Sequence, residues 1–264
     1  MRLIILGSGS SGNSVYIESE GSSVLVDVGL SGKETARRMV TVGLDPSSLS
    51  GIIVTHEHSD HFKGVPVMSK TTGVPIFISD ATKAVCKFNG NGGSLKFGQA
   101  ISSSESFQIG SLDCHPFTIP HDGVDTFALT VESRGVKVGV VTDLGYISRL
   151  VSERLRGSNL VVIESNHDRD MLKVARYPWS VKQRIGSNLG HLSNDETARW
   201  IREEFDGQAE YLVLAHLSRH CNHPELARLA ALDALDYHGS LFFPNAEARV
   251  KIARHDRVSE WFEL

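Results

Sequence analysis

Six consecutive residues restrict this chain more than any other part of it. The apolar run Ile52-Ile53-Val54 reads as a strand. Directly behind it come His56, His58, Asp60 and His61, all of types that give nitrogen or oxygen to a divalent cation. Side chains two apart in extended chain point the same way, so His56 and His58 can converge on one ion. Asp60 and His61 lie past the bend and are better placed for a second. Chance would assemble such a set in on the order of one chain in a thousand, which leaves a plain polar loop as the weaker reading.

Composition sets the frame for that strand. A chain of 264 residues is long for one domain and short for two, and no linker or repeat breaks it, so one domain over residues 1–264 is expected. With 41% hydrophobic and 22% charged residues it is too polar to need a bilayer. The apolar start Leu3-Ile4-Ile5-Leu6 is too short for a signal-peptide core and reads as a first strand. Cys86, Cys114 and Cys221 are odd in number, far apart and without C-x-x-C spacing, which implies no disulfide framework and points to a reducing cytoplasm. The formal charge of −4 argues mildly against a polyanion partner, but net charge says nothing of local patches.

Short β-rich runs at 3–6, 15–17, 24–26, 52–54 and 76–78 are punctuated by Gly, Ser and Asn. Further strands are expected at 112–117, 127–131, 136–141, 160–163 and 211–214, and helices at 194–205 and 224–237. Ser31-x-x-Glu34 is a capping box that opens a crossover helix closed by Gly43. Strands returning in pairs with helices outside predict an α/β fold of two sheets packed face to face under helical layers. The Ser-rich stretch 102–106 reads as a surface turn.

The segment Thr55 to Gly64 meets in full the T-H-x-H-x-D-H-x-x-G motif of the metallo-β-lactamase superfamily, which the chain resembles over nearly its whole length. The resemblance implies that family's αββα sandwich. It also implies two divalent metal ions and a ligand set. His56, His58 and His121 would hold one ion, Asp60, His61 and His216 the other, with Asp143 between them. His115 is the rival to His121. Asp27, in Val26-Asp27-Val28-Gly29, would orient the metal shell from behind, and Asp60, Asp27 and His191 are expected to serve the chemistry. Thiolate-bearing members use Cys where this chain has Asp143, so Cys221 is read as structural. The donors accept zinc, manganese or iron.

Within that superfamily the segments 7–14, 164–168 and 190–194 resemble the YycJ/WalJ branch, whose members are regarded as DNA exonucleases working from 5′ ends. The glycine loop 7–14 lacks a P-loop's Gly-Lys-Ser/Thr and reads as a tight turn. Ser193-x-x-Glu196 is a second capping box and sets His191 just before a helix N-terminus, where free amides attract phosphate. Related phosphodiesterases carry a histidine at the matching place, so His191 is the expected general acid or phosphate clamp, with a structural cap as the alternative. Between these motifs, residues 169–184 hold five cations against the single acid Asp170. Tyr177 and Trp179 interleave with them, a mixture suited to a phosphate backbone and unpaired bases. His167, Arg176, Tyr177, Trp179, Lys182 and Arg184 are therefore the expected substrate contacts, and a solvated basic face is the alternative. Only 72 residues separate Asp143 from His216, and 59 separate His61 from His121. The first gap is too short for the large inserted domain of the cleavage-factor nucleases, and the second leaves little room for the flexible arm of ribonuclease Z. A dinuclear phosphodiesterase acting on DNA with a free 5′ end fits best, and a hydrolase of small phosphodiesters, thioesters or lactones is the rival class.

Overall fold

In the first strand, β1 (Arg2–Gly7), Leu3 and Ile5 face one way and Ile4 and Leu6 the other, and all four are buried. A strand covered on both faces reads as an unbroken apolar run instead of an alternating one. The computed structural model, which describes residues 1–86, 95–239 and 241–264, shows what does the covering. β1 lies in a six-stranded sheet with β2 (Ser14–Ser19), β3 (Ser22–Val26), β4 (Gly51–Ile53), β5 (Ile76–Phe77) and β13 (Phe262–Glu263), in the order β13-β1-β2-β3-β4-β5. The second sheet has seven strands: β6 (Phe107–Ile109), β7 (Leu112–Thr118), β8 (Phe127–Ser133), β9 (Val136–Val141), β10 (Leu160–Glu164), β11 (Tyr211–Ala215) and β12 (Val250–Ile252), running side by side in sequence order.

Each sheet changes character midway. Hairpins make β1-β2-β3 and β6-β7-β8-β9 antiparallel, whereas β3-β4-β5 and β9-β10-β11-β12 are parallel. Parallel neighbours need a crossover, and α1 (Gly32–Thr41) supplies it between β3 and β4. Ser31 Oγ accepts from Glu34 N at 3.2 Å as the sequence predicts. The returning half of the box is not made, because the Glu34 carboxylate accepts from Arg37 and Arg38 instead.

The inward faces of both sheets meet in one core that includes Leu3, Ile5, Ile17, Val24, Leu129, Val138, Leu160 and Val162. The outer face of the first sheet packs under α1 and α3 (Val65–Thr72) through Ile4, Leu25, Ile52, Met39 and Met68. The outer face of the second packs under α5 (Arg149–Leu155), α8 (Asn194–Glu203) and α9 (Pro224–Asp236) through Val161, Ile163, Leu155, Ile201 and Ala231. The result is an αββα sandwich in which each fully buried Leu or Ile contributes about 1.5–3 kcal/mol of transfer free energy. The remaining helices are short: α2 (Ser59–Phe62), α4 (Asp80–Val85), α6 (Arg169–Val174), α7 (Trp179–Ile185) and α10 (Ala246–Arg249). No helix among the described residues is long and apolar enough to cross a membrane. The parallel strands β3, β4, β9, β10 and β11 all end toward one edge of the sandwich, which brings distant residues into a common space.

Candidate metal centre

Three of the residues at that edge bend the backbone against its preference. Asp27, Asp143 and His216 follow the last residues of β3, β9 and β11 or lie two beyond, and each adopts the left-handed region with φ of 62°, 61° and 55°. Such a conformation costs a non-glycine residue about 1–3 kcal/mol and turns the side chain sharply out of the strand direction. Glu20 and Arg134 share it only because they sit beside glycine in hairpin turns.

Five imidazoles converge here with an inward nitrogen, and four have the outward one tied by a hydrogen bond. His56 Nδ1 lies 3.0 Å from Thr55 Oγ1, which itself donates to Asp27 Oδ2. Asp27 Oδ2 also accepts from His61 Nδ1 at 2.7 Å, so Asp27 touches the cluster from behind. His121 Nδ1 donates to the Gly190 carbonyl at 3.1 Å, and His216 Nδ1 donates to Glu164 Oε1 at 2.8 Å. His58 turns Nε2 toward Asp122 Oδ1 at 3.5 Å and Nδ1 toward His121 Nε2 at 3.2 Å. Partners of this kind set the tautomer and aim a lone pair inward. The inward atoms form two groups, His56 with His58 and His121, and Asp60 with His61, Asp143 and His216, each within a span of 4.8 Å.

Several of the inward atoms make no well-directed hydrogen bond and have mainly one another for neighbours. His56 Nε2, His216 Nε2 and Asp143 Oδ2 are buried and without a hydrogen bond. Asp143 Oδ2 lies 2.8 Å from His61 Nε2, and Asp143 Oδ1 lies 3.9 Å from His121 Nε2, so this carboxylate stands between the groups. Orphaned buried acceptors are costly. A set of nitrogen and carboxylate donors without sulfur suits divalent cations. Burial alone would raise the Asp143 carboxyl, but His216 and His61 outweigh it and hold it well below the usual range. Against their own burial, Asp143 in turn raises His61 well up and His216 to about 10, so both would shed a proton on taking up a cation. Burial, reinforced by His61, pulls the His56 imidazole well down into its neutral, ligand-ready form.

Glu164, which the sequence reading passed over as a site residue, is central. It closes the apolar strand β10, is 0% exposed, and accepts from His216 Nδ1 and His191 Nδ1 at 2.8 Å each, and from Leu144 N and Leu192 N. Burial raises its carboxyl, but His191 and His216 carry it down to about 2. One signal was available, a lone acid ending a run of four apolar residues. The glycine loop also has a mechanical part: Ser8 Oγ accepts from His216 N, and Asn13 Nδ2 reaches His61 Nε2 at 2.9 Å. Gly29 packs so tightly behind it that a Cβ there would lie 1.6 Å from the Asp60 carbonyl oxygen.

His191 is set by Glu164 and not by a helix terminus. At α8, Asn194 N donates to the His167 carbonyl and Glu196 N to Ser193 Oγ, so two of the amides expected to attract phosphate are already engaged. The Glu196 side chain pairs with Arg169 and Arg199 instead of closing its box. A cavity of about 300 Å³ over the cluster is lined by Ser10, His58, Asp60, Asp143, Arg184, His191 and His216. A larger one of about 720 Å³ is lined by His167, Trp179, Lys182 and again His191. Arg184 pairs with Asp122. Arg176 and Tyr177 lie apart, lining a separate depression with His220, so α6 and α7 split what reads as one basic stripe. His115 is elsewhere, in β7 against Ser106. Burial brings the His167 imidazole down to about 4.

Fold and side-chain clusters together define a metal-dependent hydrolase of the metallo-β-lactamase fold. The family model described as beta-lactamase superfamily domain matches residues 22–217. Exodeoxyribonuclease YycJ of Bacillus anthracis is 35% identical over 237 residues, 89% of either chain. Exodeoxyribonuclease WalJ of Streptococcus pneumoniae is 33% identical over 233 residues, 88% of this chain and 87% of that one. Among solved structures, the metallo-beta-lactamase fold protein YhfI of Bacillus subtilis superposes with a TM-score of 0.73 over 98% of this chain and 100% of its own, a likeness of fold alone at 19% identity. The chain therefore belongs to the beta-lactamase superfamily, in the family that contains YycJ and WalJ.

Proposed function

We propose that the protein is a dinuclear exonuclease that degrades DNA from 5′ ends, working as one domain in the cytoplasm. His56, His58 and His121 would hold one ion and Asp60, His61 and His216 the other, with Asp143 available to both. Zinc or manganese, with iron as a third fit, matches donors of nitrogen and oxygen alone. Ions so held supply Lewis acidity to a phosphoryl group and an activated water. The observation that carries the reading is the junction at Glu164, whose Oε1 accepts from both His216 and His191. One buried carboxylate thereby fixes a metal ligand and leaves Nε2 of the neighbouring histidine toward the reacting phosphate. His191 then donates its proton to the departing 3′ oxygen, while Asp27 steadies His61. Arg184, Lys182 and Trp179 border the two cavities that His191 joins, a surface suited to a phosphate backbone and unstacked bases. That surface favours nucleic acid over a thioester or lactone.

The test is hydrolysis by purified, metal-analysed protein of end-labelled single- and double-stranded DNA and RNA, with zinc, manganese and iron compared. Mononucleotides released in order from DNA 5′ ends are expected. Release from 3′ ends alone, or activity confined to small thioesters and lactones, overturns the reading.

A further inference from the structure

The cavity of about 720 Å³ beside the candidate metal centre shares His191 with it and has its own chemistry. Four cations, Arg169, Lys173, Lys182 and Arg199, line it, with Glu196 as the one carboxylate among the lining residues. Glu196 is engaged by Arg169 and Arg199, and outside the lining Arg169 also pairs with Asp195 and Lys173 with Asp170, so these acids leave one cation in excess. Lys182 donates to a carbonyl, that of Lys173, and forms no ion pair among the described residues. The ring of His167 also lines the cavity. It is 3% exposed, and its Nδ1 has no hydrogen-bond partner. A buried polar atom of this kind in a cationic cavity marks a place for a ligand oxygen. Tyr146 and Trp179, both exposed, stand at the rim.

The direction of cleavage says which part of a substrate reaches this space. In hydrolysis from a 5′ end, a water oxygen bonds to phosphorus and gives its proton to solvent. The bond from phosphorus to the 3′ oxygen of the terminal nucleotide breaks, and that oxygen leaves with the proton of His191. The nucleotide beyond His191 is thus the terminal one. We infer that this cavity binds the 5′-terminal nucleotide, with its phosphate monoester held among Lys182, Arg199 and His167. The inference rests on the exonuclease reading above. The volume suits one small ligand. A terminal monoester carries about −1.5 to −2 charges where an internal diester carries one, so it gains more than a diester from Lys182, whose charge no acid among the described residues pairs.

The experiment compares kcat/KM for otherwise identical duplexes with 5′-phosphate and 5′-hydroxyl ends, using the metal-loaded full chain. Phosphorylated ends should be preferred by about 10–100-fold, the usual worth of charge-assisted hydrogen bonds to an anion. In Lys182→Ala/Arg199→Ala the ratio should collapse toward one. A general defect in folding or metal content slows both ends alike and leaves the ratio standing, so it cannot mimic that result. A ratio near one in the unaltered protein overturns the inference, as does a ratio that survives the double substitution. If neither end is cleaved with any metal, the exonuclease reading itself fails. The cavity is then judged by binding of thymidine 5′-monophosphate against thymidine, tighter binding of the phosphate supporting it and equal affinity overturning it.

Discussion

The strand-end rim and the helices α6 and α7 face the same space and are built in opposite ways. On the rim, Asp27, His56, Asp143, Glu164 and His216 are each 3% exposed or less and sit on strands packed from both sides. Across from them α7 has no buried residue, with Trp179 72% and the neighbouring Val174 82% exposed. The rim holds its side chains in left-handed backbone positions that a loosely packed segment could not sustain. Few buried contacts put α7 at the low end of local stability, which suits a surface that must accommodate any base. Under the proposed function, geometry for the reaction would come from the sheets and adaptable binding from the helices α6 and α7.

The sharpest way to break this division is His191→Ala, at the junction of the two cavities. DNA turnover should fall by about 10²–10⁴-fold with metal content unchanged. A nitrophenyl phosphodiester, whose leaving group needs little protonation, should be partly spared. Equal losses on both substrates would make His191 a clamp instead of an acid, and wild-type DNA cleavage would remove it from the site.

Glu164→Gln tests whether the rim acts as a unit. The amide cannot accept from two imidazoles and two backbone amides as the carboxylate does, so metal affinity or turnover should drop by about 10–100-fold. Titration with a chelator and steady-state rates measure both, and unchanged values would reduce Glu164 to a buried spectator.

On the side of α6 and α7, Lys182→Ala with Arg184→Ala should weaken DNA binding and lower the slope of log affinity against log salt by roughly 0.9 per lost phosphate contact. Arg176→Ala, in its separate depression, should leave that slope alone. A slope that follows Arg176 and ignores the other two would place the DNA path on the wrong face of α6.

A smaller effect lies outside both regions. Arg37 and Arg38 hold the Glu34 carboxyl at about 2, below its ordinary 4.5. A folded-state value below the unfolded one gives stability that is present above pH 4.5 and lost as pH falls toward 2. Glu34→Gln should therefore cost about 0.3–1 kcal/mol at pH 7 in urea unfolding and nothing near pH 2. Activity per folded molecule should be unaffected, since α1 covers the far side of the first sheet.

The chain's local chemistry determined a good deal alone. Runs such as Leu3 to Leu6 and Leu160 to Ile163 could be recognised as strands because burial on both faces demands apolar residues in sequence. Ser31 and Ser193 could be recognised as helix caps because one hydroxyl meets an amide three residues on. The dense segment from His56 to His61 stood out because its donors are contiguous. The two-residue strand β13 and the three-residue β12 could not be seen, since their pairing with β1 and β11 owes everything to backbone partners far away in the chain. The companion carboxylates of both capping boxes went to arginines, a competition that spacing does not reveal. Which cations of the basic segment line the cavity with His191, and which line the depression with His220, depends on how α6 and α7 are placed in the folded chain. Glu164 gains its importance only when His191, 27 residues on, and His216, 52 residues on, arrive at the same oxygen. Sequence supplies the donors and the local periodicity that makes strands, whereas the meeting of lone pairs across a gap is decided by the packing that brings strand ends together.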